Sequence, residues 1–456
     1  MGHYIPERRL PALHAYKYAG QDDSPVSKYV LGPWWNWLVE QFPLTVAPNT
    51  ITLSGLGLVF INFLTLLVLD GTLEHGTAAS LDPARRVLSL NASHDAWAPV
   101  SFFEHHGFPA SMREHRFLDV PRIPPWIFMT WAVGLFMYQS LDAIDGKQAR
   151  RTGMAGPLGE MFDHGCDAIN TTLECLLCCA ALNVGRSYWA IASLIATLSN
   201  FYLTTWEEYH TGILYLSAFS GPVEGILMIC GIYAITALVP GGASFWGRGI
   251  FSLTGLESSD WAASLGLAKW NIKANEAFLT FGALGLCANI VASYGNVRHA
   301  RRSRGQSAVT PLLGLLPLVL QQVTMTVWAL GNDGQILRDG ATFVAFCCAW
   351  GIAFAYSVGL LIVAHVTKAP FPYWNGATLY ALLGAIDAWL PNSIVQSSPT
   401  NVRFAVYSSL ALSVAIYLHF CHDVITTITK ETGKPCFRVV PPEKQKPQNK
   451  GKGKKA

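Results

Sequence analysis

Four regularly spaced aspartates are the residues of this chain best suited to chemistry. Asp142 and Asp145 end one apolar run, and Asp163 and Asp167 begin the next. Residues three or four apart share a helix face, so the two pairs could face each other across a short turn. Carboxylates at the ends of apolar helices are costly to desolvate unless divalent cations lie between them. The spacing therefore predicts a site for hard cations with oxygen ligands, Mg²⁺ or Mn²⁺. A solvated acidic loop is the alternative, but it requires no regular spacing.

The composition is that of a membrane protein. Of 456 residues, 51% are hydrophobic and only 13% are charged, which excludes an ordinary soluble multidomain protein. The net charge of +3 is too small to indicate a nucleic-acid partner. The ten cysteines show no zinc-finger spacing, so neither a disulfide framework nor a structural zinc is predicted.

The apolar runs predict an all-α polytopic membrane protein with about ten transmembrane helices. An N-terminal helix rich in tryptophan is too short and polar to span and suits the headgroup layer. The predicted spans are 51–69, 126–149, 163–184, 188–205, 222–239, 274–294, 309–330, 341–364, 378–389 and 404–427.

Three parts follow from this layout. Residues 1–48 form a cytosolic segment containing the interfacial helix, 49–428 a membrane catalytic domain, and 429–456 a disordered basic cytosolic tail. A polar lumenal loop at 70–124 carries Asn91, a glycosylation acceptor in form. The positive-inside rule places the aspartate turn in the cytosol, because basic residues cluster on that side.

The full pattern from Asp142 to Asp167 is D-x2-D-G-x2-A-R-x8-G-x3-D-x3-D. It resembles the signature of the CDP-alcohol phosphotransferases, membrane enzymes that make phospholipids from a CDP-activated head group. Glu-x-x-Asp-His at 160–164 resembles the eukaryotic choline and ethanolamine branch of this family rather than its bacterial members. WEEYHTG at 206–212 resembles the fungal choline/ethanolaminephosphotransferases. The resemblance covers most of the chain except the 70–124 loop.

The resemblance implies roles for the acidic residues and the histidine of this stretch. Asp142, Asp145, Asp163 and Asp167 would hold two Mg²⁺ or Mn²⁺ ions. The acceptor hydroxyl needs a base within hydrogen-bond reach, and the candidates are Asp167, His164 and Glu160. Bound metal would weaken Asp167 as a base, whereas Glu160 and His164 share the neighbouring helix face.

It also implies substrate contacts. Gly146 and Ala149 lack bulk and would let the nucleotide approach the helix, Arg150 would contact phosphate, and Gly159 would let the helices pack tightly. Asn49, in the entry Pro-Asn-Thr-x-Thr, would lie near the nucleotide, although it could equally be a plain helix cap. Glu207 and Tyr209 could cage a quaternary ammonium, and an interfacial aromatic belt explains them equally well.

The expected activity is an EC 2.7.8-type transfer of phosphocholine or phosphoethanolamine from CDP-choline or CDP-ethanolamine to diacylglycerol, releasing CMP. The expected location is the endoplasmic reticulum membrane, with the Golgi as the alternative, and the positive-inside rule places the site on the cytosolic face. The resemblance also implies a homodimer. One alternative is a related enzyme with another head group, such as inositol. The other is a cation transporter with an intramembrane ion site, against which stand the interfacial position of the acids and the lack of an evident inverted repeat.

Overall fold

The computed structural model describes residues 2–77, 123–216, 222–256, 264 and 271–440. Most of the predicted 70–124 loop, including Asn91, and residues 441–456 of the predicted tail lie outside the described residues. The α-helices are Leu10–Ala15 (α1), Gly32–Glu40 (α2), Pro48–Asp70 (α3), Pro125–Thr152 (α4), Pro157–Ala181 (α5), Tyr188–Thr211 (α6), Pro222–Leu238 (α7), Ile250–Leu253 (α8), Ala274–Ser303 (α9), Leu316–Arg338 (α10), Gly340–Val366 (α11), Ala377–Ala388 (α12) and Pro399–Thr432 (α13).

The prediction of an all-α polytopic membrane protein is confirmed. In the described residues, six helices are long and apolar enough to cross a membrane: α3, α4, α9, α10 with the turn before it, α11 and α13. The helices α7 and α12 are apolar but shorter, and α5 and α6 carry more polar side chains. A helix thus lies at each of the ten predicted spans. The number of these helices that cross the bilayer stays a prediction.

The helices form layers around α11. In the most apolar 18-residue stretch of α11, 78% of the residues are buried inside the protein, compared with 6% in the corresponding stretch of α9. Because α9 hides so little of its apolar surface within the protein, that surface is left to face lipid. Helix α5 packs against both α3 and α11, and α4 packs against α3 and α7, so the aspartate-bearing helices lie on the central one or its neighbours.

A tight turn joins α4 to α5. Helix α4 ends at Gly153, which takes a left-handed conformation with φ of 69° that glycine adopts without steric cost. Pro157 then starts α5, where its missing N–H is no loss. Lys434, just beyond α13, donates hydrogen bonds to the carbonyl oxygens of Gly153 and Ala155 at 3.1 and 2.6 Å. These two hydrogen bonds attach the turn to the segment that follows α13.

The N-terminal segment lies against the same end of the helices. The predicted interfacial helix is present as α2, with Trp35, Leu38 and Val39 buried and Trp37 exposed. Strand Gly20–Asp22 (β1) pairs in parallel with Leu214–Leu216 (β2), which directly follows α6. This pairing attaches residues near the start of the chain to the end of the helix that carries Glu207 and Glu208.

Candidate active site

Three of the four aspartates converge where α4 meets α5. One carboxylate oxygen each from Asp142, Asp163 and Asp167 lies within 4.8 Å of the other two. Asp142 comes from the last turns of α4, and the other two come from the first turns of α5. Helical spacing places each pair on one face, and the turn then points both faces at the same space.

Neighbouring hydroxyl groups orient the remaining carboxylate oxygens. Thr52, on α3, donates a hydrogen bond to Oδ2 of Asp145 at 2.5 Å. Tyr138, on α4 and almost fully buried, donates its phenolic hydrogen to Oδ1 of Asp167. These donors fix two acidic side chains in the way that hydrogen-bonding neighbours fix metal ligands.

The residues present fit a divalent-metal centre. The Oδ1 atoms of Asp142 and Asp163 are buried and have no hydrogen-bond partner. Buried carboxylate oxygens without a donor are costly, and a cation among them removes that cost. An all-oxygen donor set of this kind suits Mg²⁺ or Mn²⁺. The role of the four aspartates as metal ligands stays a prediction.

A pocket opens beside this centre, under the α4–α5 turn. Its lining includes Asn49, Ala149, Gly159, Lys434 and Cys436, so three predicted substrate-binding positions face one space. Asn49 is buried and its amide donates to the Sγ atom of Cys436 at 3.3 Å. Partial burial lowers the pKa of Lys434 from its usual value.

The prediction that Gly159 lets the helices pack tightly is wrong. Gly159 instead lines the pocket, and its contact with substrate stays a prediction. A Cβ atom at Gly159 would meet no atom within 4 Å, so helix packing does not require glycine there. At Gly146, a Cβ atom would lie 3.6 Å from an Nη atom of Arg150, which is the first group it would meet. The exposed Arg150 side chain thus folds back over the small residue beside Asp145.

A second group of ionisable side chains lies in the same end of the protein. One ligand atom each of Glu160, Glu208 and His365 lies within 4.8 Å of the other two, and all three residues are buried. Glu160 therefore points to α6 and α11. His164, one helical turn further along α5, is buried and its Nδ1 atom lacks a hydrogen-bond partner.

The two residues predicted to contact the head group are directed elsewhere. Glu207 accepts a hydrogen bond from Asn296 of α9 at 2.7 Å. Tyr209 donates its hydroxyl to the carbonyl oxygen of Ala369 at 2.9 Å. Their contact with a head group stays a prediction, and it is the neighbouring Glu208 that turns toward α5.

Several residues of the site carry no sequence signal of their own. Thr52, Tyr138 and Lys434 reach the aspartates or their turn from segments distant along the chain. Tyr18, just before β1, is 55% exposed, and partial burial followed by the negative charges of Glu208 and Asp163 raises its pKa. Only the position of Thr52 within the Pro-Asn-Thr-x-Thr entry could have drawn attention to it.

Comparison with known proteins agrees with this geometry. The CDP-alcohol phosphatidyltransferase family matches residues 120–254, which include all four aspartates. The chain is 36% identical over 439 residues to an uncharacterised class-I family protein of Schizosaccharomyces pombe, covering 95% of this chain and 97% of that protein. It is 31% identical over 441 residues to choline/ethanolaminephosphotransferase 1 of Saccharomyces cerevisiae, covering 94% and 96%. It is 30% identical over 455 residues to the Arabidopsis thaliana protein of the same name, covering 96% and 98%. The similarity therefore extends far beyond the aspartate motif, and this chain belongs to the CDP-alcohol phosphatidyltransferase family.

Proposed function

We propose that this protein transfers phosphocholine, phosphoethanolamine or both from the CDP-alcohol to diacylglycerol, forming phosphatidylcholine or phosphatidylethanolamine and releasing CMP. The observation that carries the proposal is the convergence of the carboxylates of Asp142, Asp163 and Asp167 within 4.8 Å beside a pocket. The yeast and plant relatives named choline/ethanolaminephosphotransferase, similar over nearly their whole length, supply the head-group class.

The four aspartates are proposed to hold two Mg²⁺ or Mn²⁺ ions. Bound ions would neutralise the pyrophosphate and the negative charge that grows on the departing CMP phosphate. Asp142, Asp163 and Asp167 offer the converging oxygens, and Thr52 sets the orientation of Asp145. Tyr138 sets the orientation of Asp167, which keeps this carboxylate an acceptor rather than a free base.

The nucleotide is proposed to occupy the pocket under the α4–α5 turn. Asn49 offers an amide, and the small residues Ala149 and Gly159 leave the pocket wall free of bulk. Arg150 and Gly146 lie next to Asp145, where a guanidinium can pair with phosphate oxygens. The phosphates would then lie between these groups and the carboxylates.

His164 is proposed to accept the proton of the diacylglycerol hydroxyl. Among the predicted bases, Asp167 is held by Tyr138 and Glu160 lies with Glu208 and His365, whereas the Nδ1 atom of His164 has no hydrogen-bond partner. Replacing His164 by alanine should lower the maximal rate by about 10²- to 10⁴-fold with little change in affinity for the CDP-alcohol. A change in affinity alone would show that His164 is not the base.

The cellular setting is part of the proposal. Lys147, Arg150 and Arg151 follow the aspartates on α4, so the positive-inside rule supports a site at the cytosolic membrane surface. The division into the 1–48 segment, the 49–428 membrane domain and the 429–456 tail accompanies this orientation. Location in the endoplasmic reticulum and a homodimer are the settings we propose.

The test uses purified full-length protein in liposomes containing diacylglycerol. We expect release of CMP from CDP-choline or CDP-ethanolamine that requires both diacylglycerol and Mg²⁺ or Mn²⁺. Competition between the two CDP-alcohols in one reaction measures the head-group preference. Equal CMP release in liposomes without diacylglycerol, or cation uptake without any CDP-alcohol, would contradict the proposal.

A further inference from the structure

The group formed by Glu160, Glu208 and His365 is distinct from the aspartate centre. Glu160 lies in the first turn of α5, Glu208 in the last turn of α6, and His365 in the last turn of α11. Their side chains meet at one end of three packed helices, with exposed fractions of 7%, 2% and 7%. Tyr16 of the N-terminal segment lies beside His365, with its ring edge-on to the imidazole and the ring centroids 6.3 Å apart.

The carboxylate of Glu160 is buried without a hydrogen-bond donor among the described residues. Both of its carboxylate oxygens are buried and lack a hydrogen-bond partner. Two other buried glutamates of the bundle each have a donor to at least one carboxylate oxygen, because Glu207 accepts from Asn296 and Glu174 accepts from Tyr233. Glu160 instead points at a second buried carboxylate, that of Glu208, and at an imidazole.

Among the described residues, no lysine or arginine side chain forms an ion pair with this carboxylate. In the ranges that the structure covers, neither Glu160 nor Glu208 has a lysine or arginine nitrogen within ion-pair distance. Lys368, three residues after His365, is exposed and forms no ion pair with either glutamate among the described residues. Two carboxylates buried together require either a shared proton or a cation between them.

We propose that Glu160, Glu208 and His365 bind a divalent transition-metal ion, of the kind represented by Mn²⁺ and Zn²⁺. Two carboxylates and one imidazole form a mixed oxygen and nitrogen donor set, which suits these ions better than Mg²⁺. The all-oxygen aspartate centre differs in this respect. The ion links α5 to α6 and α11, and so holds the helix that carries Asp163 and Asp167 against its neighbours.

Nitrogen ligation gives the experiment a signature that the aspartate carboxylates cannot produce. The probe is Mn²⁺ alone, added to chelator-treated full-length protein in nanodiscs, and the readout is pulsed electron paramagnetic resonance. We expect electron spin echo modulation from ¹⁴N in the unmodified protein. The modulation should disappear in His365→Gln and persist in His299→Gln, an exposed histidine on α9 that serves as the matched control.

The number of bound ions gives a second readout. Glu208→Gln should bind about one Mn²⁺ fewer per chain, because a site of three ligands loses one of its two carboxylates. Size-exclusion profiles and thermal unfolding establish that each variant is folded, and Glu208→Gln keeps the proposal testable if His365→Gln does not fold. An Asp142→Asn variant should lose catalysis but keep the ¹⁴N modulation.

Three results would overturn this inference. They are absence of ¹⁴N modulation in the unmodified protein, its persistence in His365→Gln, and its loss in Asp142→Asn. The last result would place the nitrogen ligand at the aspartate centre, with His164 as the adjacent candidate. The absence of modulation together with normal CMP release would leave the proposed function standing and identify the glutamates as a proton-sharing pair.

Discussion

The hydrogen bond from Tyr138 to Asp167 gives the sharpest test of the aspartate centre. Tyr138 is 1% exposed, and its ring packs against Gly55, where a Cβ atom would approach the ring to 3.3 Å. Phenylalanine keeps this packing and removes only the hydroxyl. Tyr138→Phe should therefore release one carboxylate of the three that converge, without opening a cavity.

The expected size of the effect follows from the charge of the acceptor. A hydrogen bond to a charged group contributes about 1.5–3 kcal/mol, which corresponds to roughly 10- to 150-fold in an equilibrium constant. Loss of a partner that orients a metal ligand typically weakens metal binding by about 10- to 100-fold. We expect the half-saturating Mg²⁺ concentration for CMP release to rise by about that factor, with a smaller loss of rate at saturating Mg²⁺.

Tyr233→Phe provides the matched control. Tyr233 is fully buried and donates to Oε2 of Glu174 at 2.7 Å, so this variant loses the same kind of bond about two helical turns along α5 from Asp167. Both variants should lower thermal stability, but only Tyr138→Phe should shift the Mg²⁺ dependence. A Mg²⁺ dependence of Tyr138→Phe equal to that of the unmodified protein, or an equal shift in Tyr233→Phe, would refute the reasoning.

Two further predictions concern the aspartate centre, and a third concerns Asp339 at the start of α11. Asp142→Ala and Asp163→Ala should abolish CMP release at every metal concentration, and normal rates in either would remove the metal assignment. Thr52→Val should weaken Mg²⁺ activation about 10-fold or more, with recovery in Thr52→Ser, because serine restores the donor to Asp145. Burial acts to raise the pKa of Asp339, but hydrogen bonds from Thr342 and Arg403 outweigh it and the pKa is lowered. The resulting stability is present above the unfolded-state pKa of about 4 and is lost below it. Thermal unfolding between about pH 3 and pH 6 should therefore show less acid sensitivity in Asp339→Asn.

The sequence determined much of the aspartate centre by itself. The spacing of Asp142 and Asp145, and of Asp163 and Asp167, fixes which acids share a helix face, because helical periodicity is a local property. Gly153 and Pro157 fix the end of one helix and the start of the next for similarly local reasons. Convergence of Asp142 with Asp163 and Asp167 required a short turn between the two helices.

The residues of the second acidic group, Glu160, Glu208 and His365, could not be predicted from helical periodicity. The stretch at 206–212 drew attention to Glu207 and Tyr209, but adjacent residues on a helix point about 100° apart. Which of them faces α5 depends on how α6 is rotated against its neighbours. The structure turns Glu208 to Glu160 and Glu207 to Asn296, a difference between neighbouring residues that the sequence pattern did not predict.

The sequence alone thus determined the membrane class, the spacing of the aspartates and the turn between them, because all three are expressed in composition or in spacing along one or two helices. Only the tertiary structure decided that Thr52, Tyr138 and Lys434 support this centre, and that His365 meets Glu160. These contacts join segments far apart in the chain. They depend on helix rotation and packing, which are set by the whole bundle rather than by neighbouring residues.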